Sequence, residues 1–277
     1  MKVFISADME GATGIASGKM TAHDSSEYAR GRKLLTQDVN AAIEGAFSAG
    51  AKEVLVNDSH GGMNNILIED LDSRARLISG STKQLCQMEG ISNEFDAAFF
   101  IAYHAMEGSE RGVINHTFLG RTVSEIRLCG ERVGETGTNA AIAAHFGVPV
   151  VLVTGDDRVC DEARERLGDI ETVCVKKGLD RYVADCLPPA RTRDMIFEAA
   201  AKAVRRAREI KPRVISAPIV FDVTFKSTAE TTLATLFSDI KLTGPKSISL
   251  TADDMISGFK MLWGALLLGR AGSTGAL

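Results

Sequence analysis

Two carboxylates, two residues apart, close the first apolar run of this chain: Val3-Phe4-Ile5-Ser6-Ala7-Asp8-Met9-Glu10-Gly11. Where strand geometry continues that far, Asp8 and Glu10 project to the same side. Like charges side by side repel unless a cation lies between them, so the pair points to a metal with further ligands elsewhere. Two later apolar runs end in a similar way. Asn57-Asp58-Ser59-His60-Gly61-Gly62 follows Val54-Leu55-Val56, and Tyr103-His104 follows residues 97–102. In a parallel sheet all three would leave from the carboxyl edge, where open α/β proteins bind ligands. Asp, Glu, His and His meeting in one crevice are the donors expected for zinc or a similar divalent ion. Singly, each has an ordinary structural role: Asp8 in a turn, Asp58 or Ser59 as a helix cap, a histidine as packing. Their coincidence at three strand ends favours the metal.

The remaining histidines divide. His23 lies in a polar stretch before a helix and reads as surface. His145 sits near a helix C-terminus, where it suits the dipole. His116 falls in Gly112-Val113-Ile114-Asn115-His116-Thr117-Phe118, which reads as strand-like. It is either a buried structural imidazole or an acid, base or electrophile beside the metal.

The elements that must position these residues alternate in type. After the first strand, Leu35, Val39, Ala42, Ile43 and Ala46 recur at helical spacing between residues 25 and 48, and Gly50 ends that helix. Strands follow at 54–56 and 97–102, a helix at 134–146, a strand at 148–153, a helix at 157–167 and a strand at 172–175. Runs apolar on both faces and separated by helices predict an α/β fold: a mainly parallel central sheet flanked by helices. Near Leu187-Pro188-Pro189 the character changes. A helix over 192–208, strand material over 214–225, short strands near Ile240 and Ile248 and a helix over 252–268 predict a smaller C-terminal α+β lobe. The expected division is a catalytic α/β domain at 1–188 and the lobe at 189–277. Residues 271–275 read as a frayed tail.

Composition excludes several alternatives. A chain of 277 residues with 45% hydrophobic and 25% charged residues is long enough for a substantial core and ordinary for a globular protein. A net charge of −4 gives no electrostatic attraction to nucleic acid or to an acidic membrane. The five cysteines are odd in number and lack C-x-x-C spacing, which argues against a disulfide framework or a thiolate zinc site and for the cytoplasm. No apolar stretch has the roughly 18–20 residues needed to span a bilayer, and the N-terminus lacks the pattern of a signal peptide.

Six motifs together carry a resemblance. Ser6-x-Asp8-x-Glu10-Gly11, Val56-Asn57-Asp58-Ser59-His60, Tyr103-His104-Ala105, Asn115-His116, Gly134-Glu135-Thr136-Gly137-x-Asn139 and Thr154-Gly155-Asp156-Asp157 resemble, in order and spacing over roughly the first 160 residues, the DppA-type D-aminopeptidases. The resemblance implies two zinc ions per subunit, with Asp8 bridging and Glu10, His60, His104 and Glu135 completing the two spheres. It implies His116 as the catalytic histidine, short peptides with an N-terminal D-amino acid (D-alanine dipeptides among them) as substrates, and a ring-shaped homo-oligomer. Glu135 enters only through the resemblance, since a glutamate in a first helical turn also suits the dipole. Charge balance fits: three carboxylates against two divalent ions leave one positive charge for a bridging anion, whereas three carboxylates without metal repel by about 4 kcal/mol per close pair at an effective dielectric of 20. Other classes stay open on the residues alone: a general metal-dependent aminopeptidase or amidohydrolase without D-specificity, a non-catalytic metal- or peptide-binding protein, and a metal-dependent phosphoesterase. Five ligands shared by two ions leave open positions, which favours catalysis.

Overall fold

The apolar runs do pair into one parallel sheet. The computed structural model describes residues 1–273. In chain order the elements are β1 (Lys2–Ala7), α1 (Tyr28–Ser48), β2 (Glu53–Asp58), β3 (Arg76–Ile78), β4 (Ala97–Tyr103), β5 (Val123–Leu128), β6 (Glu131–Arg132), α2 (Glu135–His145), β7 (Val150–Asp156), α3 (Asp157–Leu167), β8 (Glu171–Asp180), β9 (Val183–Cys186), α4 (Pro189–Arg206), β10 (Ile219–Phe225), α5 (Thr228–Ala234), β11 (Ile240–Gly244), β12 (Ser247–Ala252) and α6 (Met255–Ser273).

A seven-stranded sheet runs β3-β2-β1-β4-β7-β8-β9. All neighbours are parallel except β8 and β9. From β1 the chain moves outward to β2 and β3, then returns to β4 on the other side of β1. That reversal opens a crevice at the carboxyl ends of β1 and β4. Residues alternate between the two faces. Val3 and Ile5 join Leu35, Val39 and Ile43 of α1 and Ile196 and Ala200 of α4 in one core. Phe4, with Ala98 and Phe100 of β4, faces Ile142 of α2 and the second sheet. Even-numbered β1 positions therefore look toward α2, and Ser6 and Asp8 continue that parity.

The second sheet is antiparallel, in the order β11-β12-β10-β5-β6. It draws β5 and β6 from the middle of the sequence, while α4 returns to pack on α1. A division at residue 188 therefore does not coincide with the boundary between the sheets.

Three local expectations change. Residues 112–118 are not a strand: Arg111, Ile114 and Phe118 adopt φ of +60°, +51° and +55°, which bends the segment into a loop. Strand β10 begins at Ile219, not near 214. Helix α6 continues through residues 271–273, which were expected to fray; Thr274 and Gly275 lie outside the described residues. No helix among the described residues is long and apolar enough to cross a membrane.

Candidate metal centre

Strands β1, β2 and β4 end side by side, and the residues beyond them converge. The amide of Asp8 extends the β1–β4 ladder by one bond, donating to Ile101 O at 2.9 Å. His60 Nδ1 lies 2.9 Å from Glu10 Oε2 and 3.5 Å from Asp8 Oδ1. His104 Nε2 lies 3.3 Å from Asp8 Oδ2 and 3.3 Å from Glu135 Oε1. Glu135 is the first residue of α2. His116 Nε2 lies 3.8 Å from Glu135 Oε1, and its ring stacks on His104 with centroids 4.0 Å apart at 14°. All six residues singled out from the sequence and the resemblance are thus in one cluster. His23 is exposed, as expected.

Each imidazole has one nitrogen committed to a backbone carbonyl. His60 Nε2 donates to Thr21 O at 3.0 Å, His104 Nδ1 to Ala105 O at 3.0 Å and His116 Nδ1 to Ile114 O at 2.9 Å. Carbonyls only accept, so these nitrogens carry protons, and it is the opposite nitrogens that face the carboxylates. Fixing one nitrogen on a carbonyl while the other faces outward is how protein histidines are oriented for a metal. Asp8 Oδ2 and His104 Nε2 are both buried and have no hydrogen-bond partner among the described residues. Buried polar atoms are normally satisfied, and a divalent cation held by these residues would satisfy both. Groups of donors within 4.8 Å of one another are Asp8–Glu10–His104 and His104–His116–Glu135. The set of carboxylate oxygens and imidazole nitrogens fits such an ion.

The electrostatics of the protein groups alone show the same strain. Burial, and then the charge of Glu10, raises Asp8 above the usual carboxylate range. Burial also opposes ionisation of Glu10 and Glu135, but His60 and His104 outweigh it and lower both. Burial opposes protonation of His60 and His104 in turn, and the charges of Glu10 and Glu135 outweigh it and raise both well above the usual imidazole range. His116 goes the other way, lowered by burial and then by the charge of His104.

The surrounding chain is fitted closely to the site. A Cβ on Gly11 would lie 1.8 Å from Tyr103 O, and one on Gly155 2.1 Å from it, so glycine alone allows these backbones to close around the end of β4. Buried Lys176 donates to the carbonyls of Glu10 (2.5 Å), Ala12 (2.8 Å) and Ile15 (2.6 Å). Buried Lys83 donates to Asn57 Oδ1 (2.8 Å) and Asp58 O (2.6 Å). Asp58 does not join the cluster. Its carboxylate accepts the amides of Asn65 and Ile66, shaping the loop after His60. Asp156 caps α3 through Val159 N and also accepts Val113 N at 2.6 Å, anchoring the His116 loop. Neither lysine was apparent from the sequence, because each acts on carbonyls far away along the chain. Gln87 was also missed. Its only sequence signal is a lone polar side chain between Cys86 and Met88.

Comparison with known proteins identifies the family. The D-aminopeptidase peptidase family matches residues 1–263. A D-aminopeptidase of Bacillus subtilis (strain 168) is 34% identical over 263 residues, covering 95% of each chain. A solved structure described as the Zn-dependent D-aminopeptidase DppA from Bacillus subtilis, a self-compartmentalizing protease, superposes with a TM-score of 0.95 at 33% identity, covering 98% of both chains. The chain belongs to the D-aminopeptidase family and is a metallo-aminopeptidase, a hydrolase of peptide bonds.

Proposed function

We propose that this protein is a zinc-dependent D-aminopeptidase that binds two ions per subunit and removes the N-terminal D-residue from short peptides or amides, D-alanine dipeptides among them. The observation that carries the reading is the division of Asp8: one carboxylate oxygen faces His60 and the other faces His104. Asp8 would be shared, with Glu10 and His60 on one side and His104 and Glu135 on the other. Zinc bound there would supply a Lewis acid and lower the pKa of water.

The protein's own contribution is orientation and proton transfer. His116 presents Nε2 beside the cluster while its Nδ1–H is held by Ile114 O, and burial and the charge of His104 disfavour a second proton on the ring. That nitrogen is placed to take the proton from the attacking water and pass it to the leaving amine as the C–N bond breaks. The His116 and His60 side chains are 18% and 12% exposed, against 1–4% for the other four, so substrate would enter from their side. The name of the solved relative supports a homo-oligomer, for which we propose a ring in the cytoplasm.

The test is metal analysis of the purified protein paired with D- and L-amino-acid amides and dipeptides. The expected result is close to two zinc ions per subunit and faster cleavage of the D series. Faster cleavage of the L series would leave a general aminopeptidase. Retained zinc without turnover of any peptide or amide would leave a binding protein. A monomer by light scattering would remove the ring.

A further inference from the structure

Behind the cluster lies a buried hydrogen-bond circuit that no step above uses. Gln87, on the turn Cys86–Met88, donates from Nε2 to Glu135 Oε2. Its Oε1 accepts from Asn139 Nδ2 at 2.5 Å, and the same Nδ2 donates to Tyr103 OH at 2.9 Å. Tyr103 OH lies 2.7 Å from Ser6 Oγ, and Ser6 Oγ donates to the backbone carbonyl of Gln87 at 2.7 Å. Ser59 Oγ joins Ser6 at 2.8 Å. Every one of these side chains is buried.

The circuit has one consistent direction. An ionised carboxylate only accepts, so Gln87 must turn its nitrogen to Glu135 and its oxygen to Asn139. Asn139 must then turn its nitrogen to Gln87 and Tyr103. The hydroxyl of Tyr103 is left to donate to Ser6, and Ser6 donates to the Gln87 carbonyl. Asn139 Oδ1 remains without a partner among the described residues. The flipped amide would instead set oxygen against oxygen at Gln87.

The members also neighbour the cluster in sequence: Ser6 and Asp8, Ser59 and His60, Tyr103 and His104, and, one helical turn apart, Glu135 and Asn139. Gln87 takes Oε2 of Glu135, and Phe118 N donates to Oε1 at 2.5 Å. Oε1 is the oxygen facing His104 and His116. We infer that Gln87 is a positioning residue that fixes which oxygen of Glu135 faces the metal centre and ties that choice to the ends of β1, β2 and β4. The inference rests on the proposed zinc site.

The test is zinc affinity of the full-length protein, measured by competition with a chromophoric chelator, beside thermal stability and kcat. Gln87→Met keeps the volume and deletes the bond to Glu135. Tyr103→Phe cuts the circuit at its far side and leaves that bond in place. Positioning predicts about a 10–100-fold loss of zinc affinity in Gln87→Met, with little loss in Tyr103→Phe even where the two are destabilised alike. Asn139→Leu, which removes the donor to Gln87 Oε1, should lose less affinity than Gln87→Met, and it stands in should that variant fail to fold. Wild-type affinity in both Gln87→Met and Asn139→Leu, or equal losses in all three variants, would overturn the inference while leaving the zinc site intact. A wild-type protein that takes up no zinc would overturn the proposed function and this inference with it.

Discussion

Asp8 Oδ2 and His104 Nε2 face each other across 3.3 Å, both buried and neither with a hydrogen-bond partner among the described residues. Since Asp8 Oδ1 also faces His60, Asp8 should matter to both ions. Glu10 makes its close contact with His60, at 2.9 Å. Asp8→Ala is therefore expected to lose both zinc ions on dialysis, and Glu10→Ala chiefly one. Metal content per subunit measures this directly, and equal content in the two variants would contradict the shared role of Asp8.

His116 stacks on His104 and keeps its Nε2 3.8 Å from Glu135. It acts on protons more than on metal retention in the proposed mechanism. His116→Ala is expected to retain zinc near the wild-type level while kcat falls by about 10²–10³, the scale of removing one stabilising or proton-transferring group. Near-wild-type turnover in this variant would remove His116 from the chemistry.

What could be read from the sequence was local. The parallel strands and the ends that carry Asp8, Glu10, His60 and His104 were legible because each lies within a few residues of a continuous apolar run. Glu135 was not legible from its own surroundings. Its partners Gln87 and His104 are 48 and 31 residues away along the chain, and only the family motif pointed to it. The loop at 112–118 misled because Val113, Ile114 and Phe118 have strand-like composition. Hydrogen bonds from Val113 N to Asp156 and from Ile114 N to Arg181 O override that preference. Strands β5 and β6 were missed because β5 alternates poorly and is held by β10, about a hundred residues later.

Removing metal should load the site with protons. Without a cation, the raised affinities of Asp8, His60 and His104 mean that these groups hold protons near neutral pH. Zinc competes for the same lone pairs, so binding should release protons. Calorimetric titration of zinc into chelator-stripped protein, repeated in buffers of different ionisation enthalpy, should show net release at pH 7. Apparent zinc affinity should fall as the pH is lowered. A buffer-independent heat, with affinity constant from pH 8 to pH 6, would show that these side chains do not hold the ions.

Glu162 gives a pH test at a carboxyl that is not itself one of the proposed metal donors. It lies in α3 with Oε2 accepting Met106 N at 2.9 Å and Oε1 buried without a partner among the described residues. Burial is the main cause of its rise to about 7, with the Met106 bond and Arg166 pulling down. The folded protein therefore holds this proton more tightly than the unfolded chain does. Stability from this group is full below the usual carboxylate pKa of about 4.3. It is lost as pH rises toward 7, because the unfolded chain gives up the proton first. The loss reaches about 3 kcal/mol by pH 8, since a tenfold difference in proton affinity between the folded and unfolded chain is worth about 1.4 kcal/mol. Glu162→Gln keeps an acceptor for Met106 and has no proton to lose. Urea unfolding of both proteins at pH 5 and pH 8 should show the variant gaining about 2 kcal/mol relative to wild type between the two, since part of the loss is already made by pH 5. Parallel pH profiles would mean that Glu162 ionises in the folded protein as easily as in the unfolded chain.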